Sequence, residues 1–280
     1  MAIASRRILA LALGAVVTAG IGITTTVATA DAGVSRVAAV VTPPEANAKF
    51  DYQIGGAYTP PSGVRVVSRD RQDPPAAGLY NICYVNAFQT QPIQSEIDDW
   101  RARGLTLKNS RGKEVVDGQW DEILLDITTD AKRRAVAAVV NGWIDGCAAD
   151  GFKAVEPDNL DSFGRSEGLI DEQDAIAYIS LLISHAHSKG LAIAQKNTVG
   201  DLGDGGIGTA GRDAGLDFAV AEECGRYTEC DGYQELYGNK VIVIEYTASG
   251  FTKACNAVGA SVSVVRRDTA VSPNGPYQAC

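Results

Sequence analysis

Short apolar runs that end in polar residues recur along most of the chain, and segments with helical periodicity separate many of them. Phe50 to Tyr58 (FDYQIGGAY), Val64 to Ser68 and Leu79 to Phe88 (LYNICYVNAF) read as three strands. Ser95 is placed to cap a helix from Glu96 to Arg103, and Glu122 to Ile127 (EILLDI) reads as a fourth strand with Asp126 near its end. Thr129 caps a long helix to about Ala149, with Val136, Val139, Val140, Trp143 and Cys147 at helical spacing. A strand opens at Gly151 and breaks around Pro157. Asp171 then caps a helix from Glu172 to Lys189 that Gly190 ends. Leu191 to Asn197, Phe218 to Cys224, Lys240 to Thr247 and Ser261 to Arg267 are the remaining strand-like runs.

These strands are apolar almost throughout, as in a parallel sheet covered on both faces. Their alternation with helices predicts βα units. The expected fold is α/β, a (β/α)8 TIM-type barrel whose strand ends form one rim. Nine strand-like runs for eight positions leave one extra or irregular, and the pattern does not say which. A doubly wound open sheet is the competing fold. It usually carries a glycine-rich phosphate loop after its first strand, and none is found there. The stretch Gly203 to Gly208 (GDGGIG) lacks that context and reads as a flexible active-site loop.

The N-terminus changes the picture. Arg6 and Arg7 precede an apolar run from Ile8 to about Ile23, and Ala28-Thr29-Ala30 offers small residues for cleavage. Residues 1–30 are therefore expected to be a secretory signal, against the rival reading of an uncleaved anchor. Residues 31–48 read as a linker and 49–280 as a single barrel domain. The protein is expected to be secreted, monomeric and free of the membrane after cleavage. A net charge of −9 with no basic stripe argues against nucleic acid as a partner and suits a cationic ligand. The six cysteines suggest disulfides in an oxidising compartment, and closeness in sequence favours Cys224–Cys230 and Cys255–Cys280, leaving Cys83–Cys147. There is no CxxC pair, and the two histidines, His185 and His187, sit where they complement a helix dipole. No metal and no cofactor are expected.

The chemistry gathers at strand ends. Alternation puts Ala154, Glu156 and Asp158 on one face, so two acids share the end of one strand. Such clusters repel and resist burial, and proteins keep them for catalysis or for gripping polar ligands. Asp126, Lys196 with Asn197, Glu222 with Glu223, and Tyr246 lie at other strand ends, and Tyr84 shares a face with Asn86. Two acids on different rim strands are the parts for glycoside hydrolysis. Asp158 is the best first acid. Of Glu222 and Glu223 only one can point inward, and Glu222 is the expected one, with Glu223 facing outward near Arg226. Lys196 either touches substrate or forms a salt bridge across the rim.

Taken in order, FDYQ at 50–53, ICYVNA at 82–87, EILLDI at 122–127, GFKAVEPDNLDSF at 151–163, AIAQKN at 192–197, FAVAEEC at 218–224 and IEYT at 244–247 resemble glycoside hydrolase family 114, the endo-α-1,4-polygalactosaminidases. The resemblance implies a (β/α)8-type barrel that hydrolyses α-1,4-linked galactosamine polymers. It places the catalytic aspartate on Asp158, the catalytic glutamate on Glu222 and the lysine of the K-N pair on Lys196. Tyr84, Asp126, Glu156, Asn197 and Tyr246 are expected, with Lys196, to bind substrate. The chain departs from many members at Val85-Asn86-Ala87, which leaves the exact sugar open. A retaining mechanism is expected. The rivals are a non-catalytic amino-sugar-binding barrel and a barrel hydrolase acting on other α-galactosides.

Overall fold

The structure is a computed structural model that describes residues 41–280. The expected signal, residues 1–30, and residues 31–40 of the expected linker lie outside the described residues. The end of that linker is packed rather than free. Ala48 is buried, and the Thr42 carbonyl accepts a 2.7 Å hydrogen bond from the Tyr80 hydroxyl.

Eight parallel strands curl into a nearly closed barrel. In chain order they are β1 (Phe50–Gln53), β2 (Val66–Asp70), β3 (Tyr80–Asn86), then after two short strands β6 (Ala154–Asp158), β7 (Ala192–Lys196), β8 (Phe218–Glu222), β9 (Val241–Glu245) and β10 (Ser263–Arg266). A two-residue strand, β11 (Gln278–Ala279), pairs antiparallel with β10. Side chains bridge the seam between β10 and β1. Ser263 donates to the Ala48 carbonyl at 2.7 Å, and Arg267 pairs with Asp51 at 2.9 Å with both side chains fully buried.

The extra strand-like run is EILLDI. It splits off from the barrel after β3, where β4 (Val116–Asp117) and β5 (Glu122–Ile123) form a small antiparallel pair. Its apolar residues are nonetheless buried, because Leu124, Leu125 and Ile127 pack with Trp100, Leu105, Leu107 and Val136 in the layer outside the barrel. An apolar run covered on both sides looks the same whether a sheet or a second layer covers it, so the pattern alone did not single it out.

Among the described residues seven α-helices surround the barrel: α1 (Gln94–Ala102), α2 (Asp130–Asp150), α3 (Glu172–Ser188), α4 (Gly208–Ala214), α5 (Cys224–Tyr227), α6 (Cys230–Tyr237) and α7 (Ala248–Val258). Thr129 caps α2 by accepting from the Lys132 amide, and Asp171 and Asp174 form a reciprocal capping box on α3. Ser95 is no cap, since α1 begins one residue before it with Ile93 at the cap position. Along α2, Val136, Val140, Ile144 and Cys147 face the barrel. Strand parity divides the core in two. Phe50, Tyr52, Ala154, Ala192, Ala194, Phe218 and Val220 fill the barrel, while Cys83, Val85, Val155, Ile193, Ala219 and Ala221 meet the helices. Among the described residues no helix is long and apolar enough to cross a membrane.

Three disulfides join Cys83 to Cys147, Cys224 to Cys230 and Cys255 to Cys280. The first ties β3 to α2, and the second lies directly after β8. His185 and His187 pair with Asp145 and Asp217 away from the barrel mouth.

Candidate active site

Three neighbouring strands each end in a charged residue: β6 in Asp158, β7 in Lys196 and β8 in Glu222. The residue after each is left-handed, with φ of 65° at Asn159, 53° at Asn197 and 59° at Glu223. Asparagine tolerates that region, whereas glutamate enters it at a cost of about 1–3 kcal/mol. The chain thus turns sharply out of the barrel immediately after each charged side chain. At β6 the turn also aims the Asn159 amide at the Asp158 carboxylate, 2.8 Å away.

Lys196 is the hub. Its ammonium lies 3.1 Å from Glu156, 3.2 Å from Asp158 and 3.3 Å from Glu222, and it donates to the Tyr52 hydroxyl at 3.0 Å. One nitrogen therefore holds oxygens of Asp158 and Glu222 within 3.3 Å, which keeps those two oxygens within twice that distance of each other. Burial alone would favour a neutral lysine, but Asp158, Glu222 and Glu156 outweigh it and hold the ammonium charged, well above its ordinary range. Burial would likewise raise Asp158. The Lys196 charge, the Tyr84 hydroxyl at 2.8 Å and the Asn159 amide overcome it and hold Asp158 below the ordinary aspartate range. Glu156 shows the opposite balance. Burial pushes it up despite Lys196 and the 2.6 Å hydrogen bond from Ser68.

Glu222 is bracketed by neutral donors. Tyr246 donates its hydroxyl to one carboxylate oxygen, and the Asn197 amide group donates to the other at 3.2 Å. Asn197 in turn accepts from the Glu222 backbone N–H at 2.8 Å. Glu223, in the left-handed region, also lines the pocket, but its carboxylate pairs with Arg226 at 2.8 Å.

A pocket of ≈ 1060 Å³ opens above these groups. Of the residues expected at the site, Tyr84, Asp158, Asn197, Glu222 and Tyr246 line it. Glu156 and Lys196 are 0% and 1% exposed and form the floor beneath. Asp126 is elsewhere. It follows β5 in the outer layer, accepts from Thr128 at 2.7 Å and pairs with Lys132 at 3.3 Å, because the strand that was to carry it to the rim is not a barrel strand. Of the glycine-rich stretch, Asp204 and Gly205 reach the pocket.

Sequence reasoning missed several members. Tyr52 and Ser68 both hydrogen-bond Glu156 from β1 and β2, at 2.9 and 2.6 Å. The inward parity of FDYQ was the available signal for Tyr52. For Ser68 there was none. Glu122 lines the pocket and accepts from Asn86 at 2.9 Å. Burial raises Glu122, the Asn86 hydrogen bond opposes it, and Asp158 and Asp117 add to the rise, so its carboxyl stands at about 7. The arrangement can do two-carboxylate chemistry on a polar ligand, in a pocket whose arginines, Arg165 and Arg226, are already paired with acids.

Residues 30–280 match the model of glycoside-hydrolase family GH114. Among solved structures the chain is similar to Ega3 of Aspergillus fumigatus in complex with galactosamine, at 21% identity and a TM-score of 0.67, covering 85% of this chain and 98% of that one. It is also similar to the glycoside hydrolase domain of PelA from Pseudomonas aeruginosa, at 16% identity and a TM-score of 0.54, covering 81% and 96%. No curated protein sequence matches the chain.

Proposed function

The chain belongs to glycoside-hydrolase family GH114 and is a glycosidase, and we propose that it is secreted and cleaves α-1,4-linked, galactosamine-containing polysaccharide by a retaining mechanism. The observation that carries this reading is the pair of carboxylates from β6 and β8 brought together on one buried ammonium. Retaining glycosidases separate their acids by about 5–5.5 Å and inverting ones by about 6.5–9.5 Å. The limit set by Lys196 admits the shorter spacing and only the lower edge of the longer one.

In this reading Asp158 is the nucleophile. Lys196, Tyr84 and the Asn159 amide keep it ionised, as attack on an anomeric carbon requires. Glu222 protonates the departing glycosidic oxygen, leaving a glycosyl ester on Asp158. It then takes a proton from water, whose oxygen attacks the same carbon and releases Asp158. Asn197 and Tyr246 orient Glu222. The acidic wall, with Glu122, Asp158, Asp161 and Glu222, supports an ammonium-bearing sugar as substrate. The disulfides support an oxidising, extracellular location.

Incubation of purified protein with partly deacetylated α-1,4-galactosaminan and, separately, with a simple α-galactoside tests the reading. Shortened oligosaccharides from the first alone are expected. Release of galactose from the second alone contradicts the substrate assignment.

A further inference from the structure

Aromatic side chains in this protein are mostly buried. Trp100, Tyr178, Tyr233, Phe50, Phe88, Phe152 and Phe218 are almost fully enclosed. Others are half-buried, and two are exposed: Trp120 at 53% and Tyr227 at 62%. Both line the same pocket as Asp158 and Glu222. They come from different elements. Trp120 stands on the turn between β4 and β5, in the excursion that follows β3 and carries Glu122. Tyr227 ends α5, which follows β8 and Glu222.

Both rings are mounted on braced backbone. The Trp120 turn is closed by the Asp121 amide bonding the Asp117 carbonyl at 2.8 Å and the Gln119 amide bonding the Asp117 carboxylate at 2.8 Å. Asp117 itself is buried and pairs with Arg165 at 2.8 Å. Tyr227 lies inside the loop closed by Cys224–Cys230, its amide bonds the Glu223 carbonyl at 3.0 Å, and the Arg226 guanidinium lies 5.2 Å from its ring centre. Exposed apolar rings on such supports lose little freedom when a ligand covers them. An aromatic face suits the C–H face of a sugar ring, and it attracts a cation as well.

We propose that Trp120 and Tyr227 are stacking platforms for sugar units of the polymer that flank the bond being cleaved. This rests on the function proposed above, because it needs the bond between those units to be cut at Asp158 and Glu222. The platforms add affinity for long chains and leave the chemistry unchanged.

The test compares wild type with Trp120→Ala, Trp120→Phe, Tyr227→Ala and Tyr227→Phe on long α-1,4-galactosaminan and on the shortest oligomer cleaved. Each alanine variant is expected to raise KM for the long chain roughly fivefold with kcat near wild type, the scale of one exposed ring–cation contact. The phenylalanine variants restore KM, and kcat/KM on the short oligomer does not move. Wild-type KM on the long chain in both alanine variants overturns the platforms while leaving the glycosidase reading intact. A separate titration of the Glu222→Gln protein with undegraded galactosaminan reads iodide quenching of Trp120, the exposed tryptophan of the three. Protection that disappears in the added Trp120→Phe background supports the platform even where turnover of this polymer fails. Absence of protection overturns it.

Discussion

Lys196 and Glu156 form an ion pair that solvent does not reach: nitrogen and oxygen are 3.1 Å apart, and the side chains are 1% and 0% exposed. The same ammonium neutralises Asp158. Lys196→Met should therefore act twice. Removing one partner of a buried pair typically costs about 3–5 kcal/mol, because the other charge is left uncompensated. Burial would then act on Asp158 without its main opposing charge, so its carboxyl should rise. A group held low in the folded state contributes stability above its unfolded pKa and loses it as pH falls through the folded value. In the variant that contribution shrinks, and the acid limb of kcat/KM should move to higher pH. Thermal melts and a pH–rate profile check both parts.

Glu222 and Glu223 should separate cleanly. Glu222→Gln removes the proposed acid/base group and is expected to lower kcat by about 10²–10⁴ with sugar binding kept. Glu223→Gln removes a pocket-lining carboxylate already paired with half-exposed Arg226 and should stay within a few-fold of wild type. A reversal of the two results would assign the catalysis to the other acid.

Much of this site was legible because parity is a strong constraint. Asp158, Lys196 and Glu222 all close apolar runs on the inward parity, and the barrel carries such ends to one rim. Glu156 and Lys196 were legible as inward but not as buried. That depends on Tyr52 and Ser68, which arrive from strands about a hundred residues earlier, so that nothing local shows which acid they meet. The Arg267–Asp51 pair at the barrel seam was invisible for the same reason, since its partners lie at opposite ends of the barrel sequence. EILLDI misled because burial by a second layer leaves the same apolar signature as burial in a sheet. Trp120 and Glu122 went unread because they belong to that excursion.

Glu245 offers a test of buried-carboxyl linkage outside the proposed catalytic pair. One of its oxygens accepts from the Gly225 amide at 2.6 Å, and the other has no partner among the described residues. It lies beside the Cys224 and Cys230 sulfurs, which are bonded to each other and offer no thiolate. Burial raises its carboxyl from the ordinary 4.5 to about 7. The folded protein then binds more protons than the unfolded chain between those values, so this group's contribution falls as pH rises from about 4.5 through about 7. Glu245→Gln imitates the protonated form. It should be neutral for stability at pH 5 and stabilising at pH 8, as read by denaturant melts at the two pH values.

The disulfides should differ in what they protect. Cys83–Cys147 closes 64 residues and Cys224–Cys230 closes 6. Chain entropy predicts a loss of about 4 kcal/mol for replacing the first pair with alanines and about 2 kcal/mol for the second. The second pair braces the segment directly after Glu222, so its removal should cost more activity per unit of stability. Denaturant midpoints alongside kcat for both double variants make the comparison.

In the proposed mechanism Asp158 and Glu222 hydrolyse a galactosamine polymer through a glycosyl ester on Asp158. Proton NMR of the first sugar released from α-1,4-galactosaminan, run in parallel with Asp158→Asn, tests it most directly. Wild type is expected to form the α-anomer first, which then mutarotates, and Asp158→Asn to be slower by at least about 10². A β-anomer formed first, or full activity in Asp158→Asn, would contradict it.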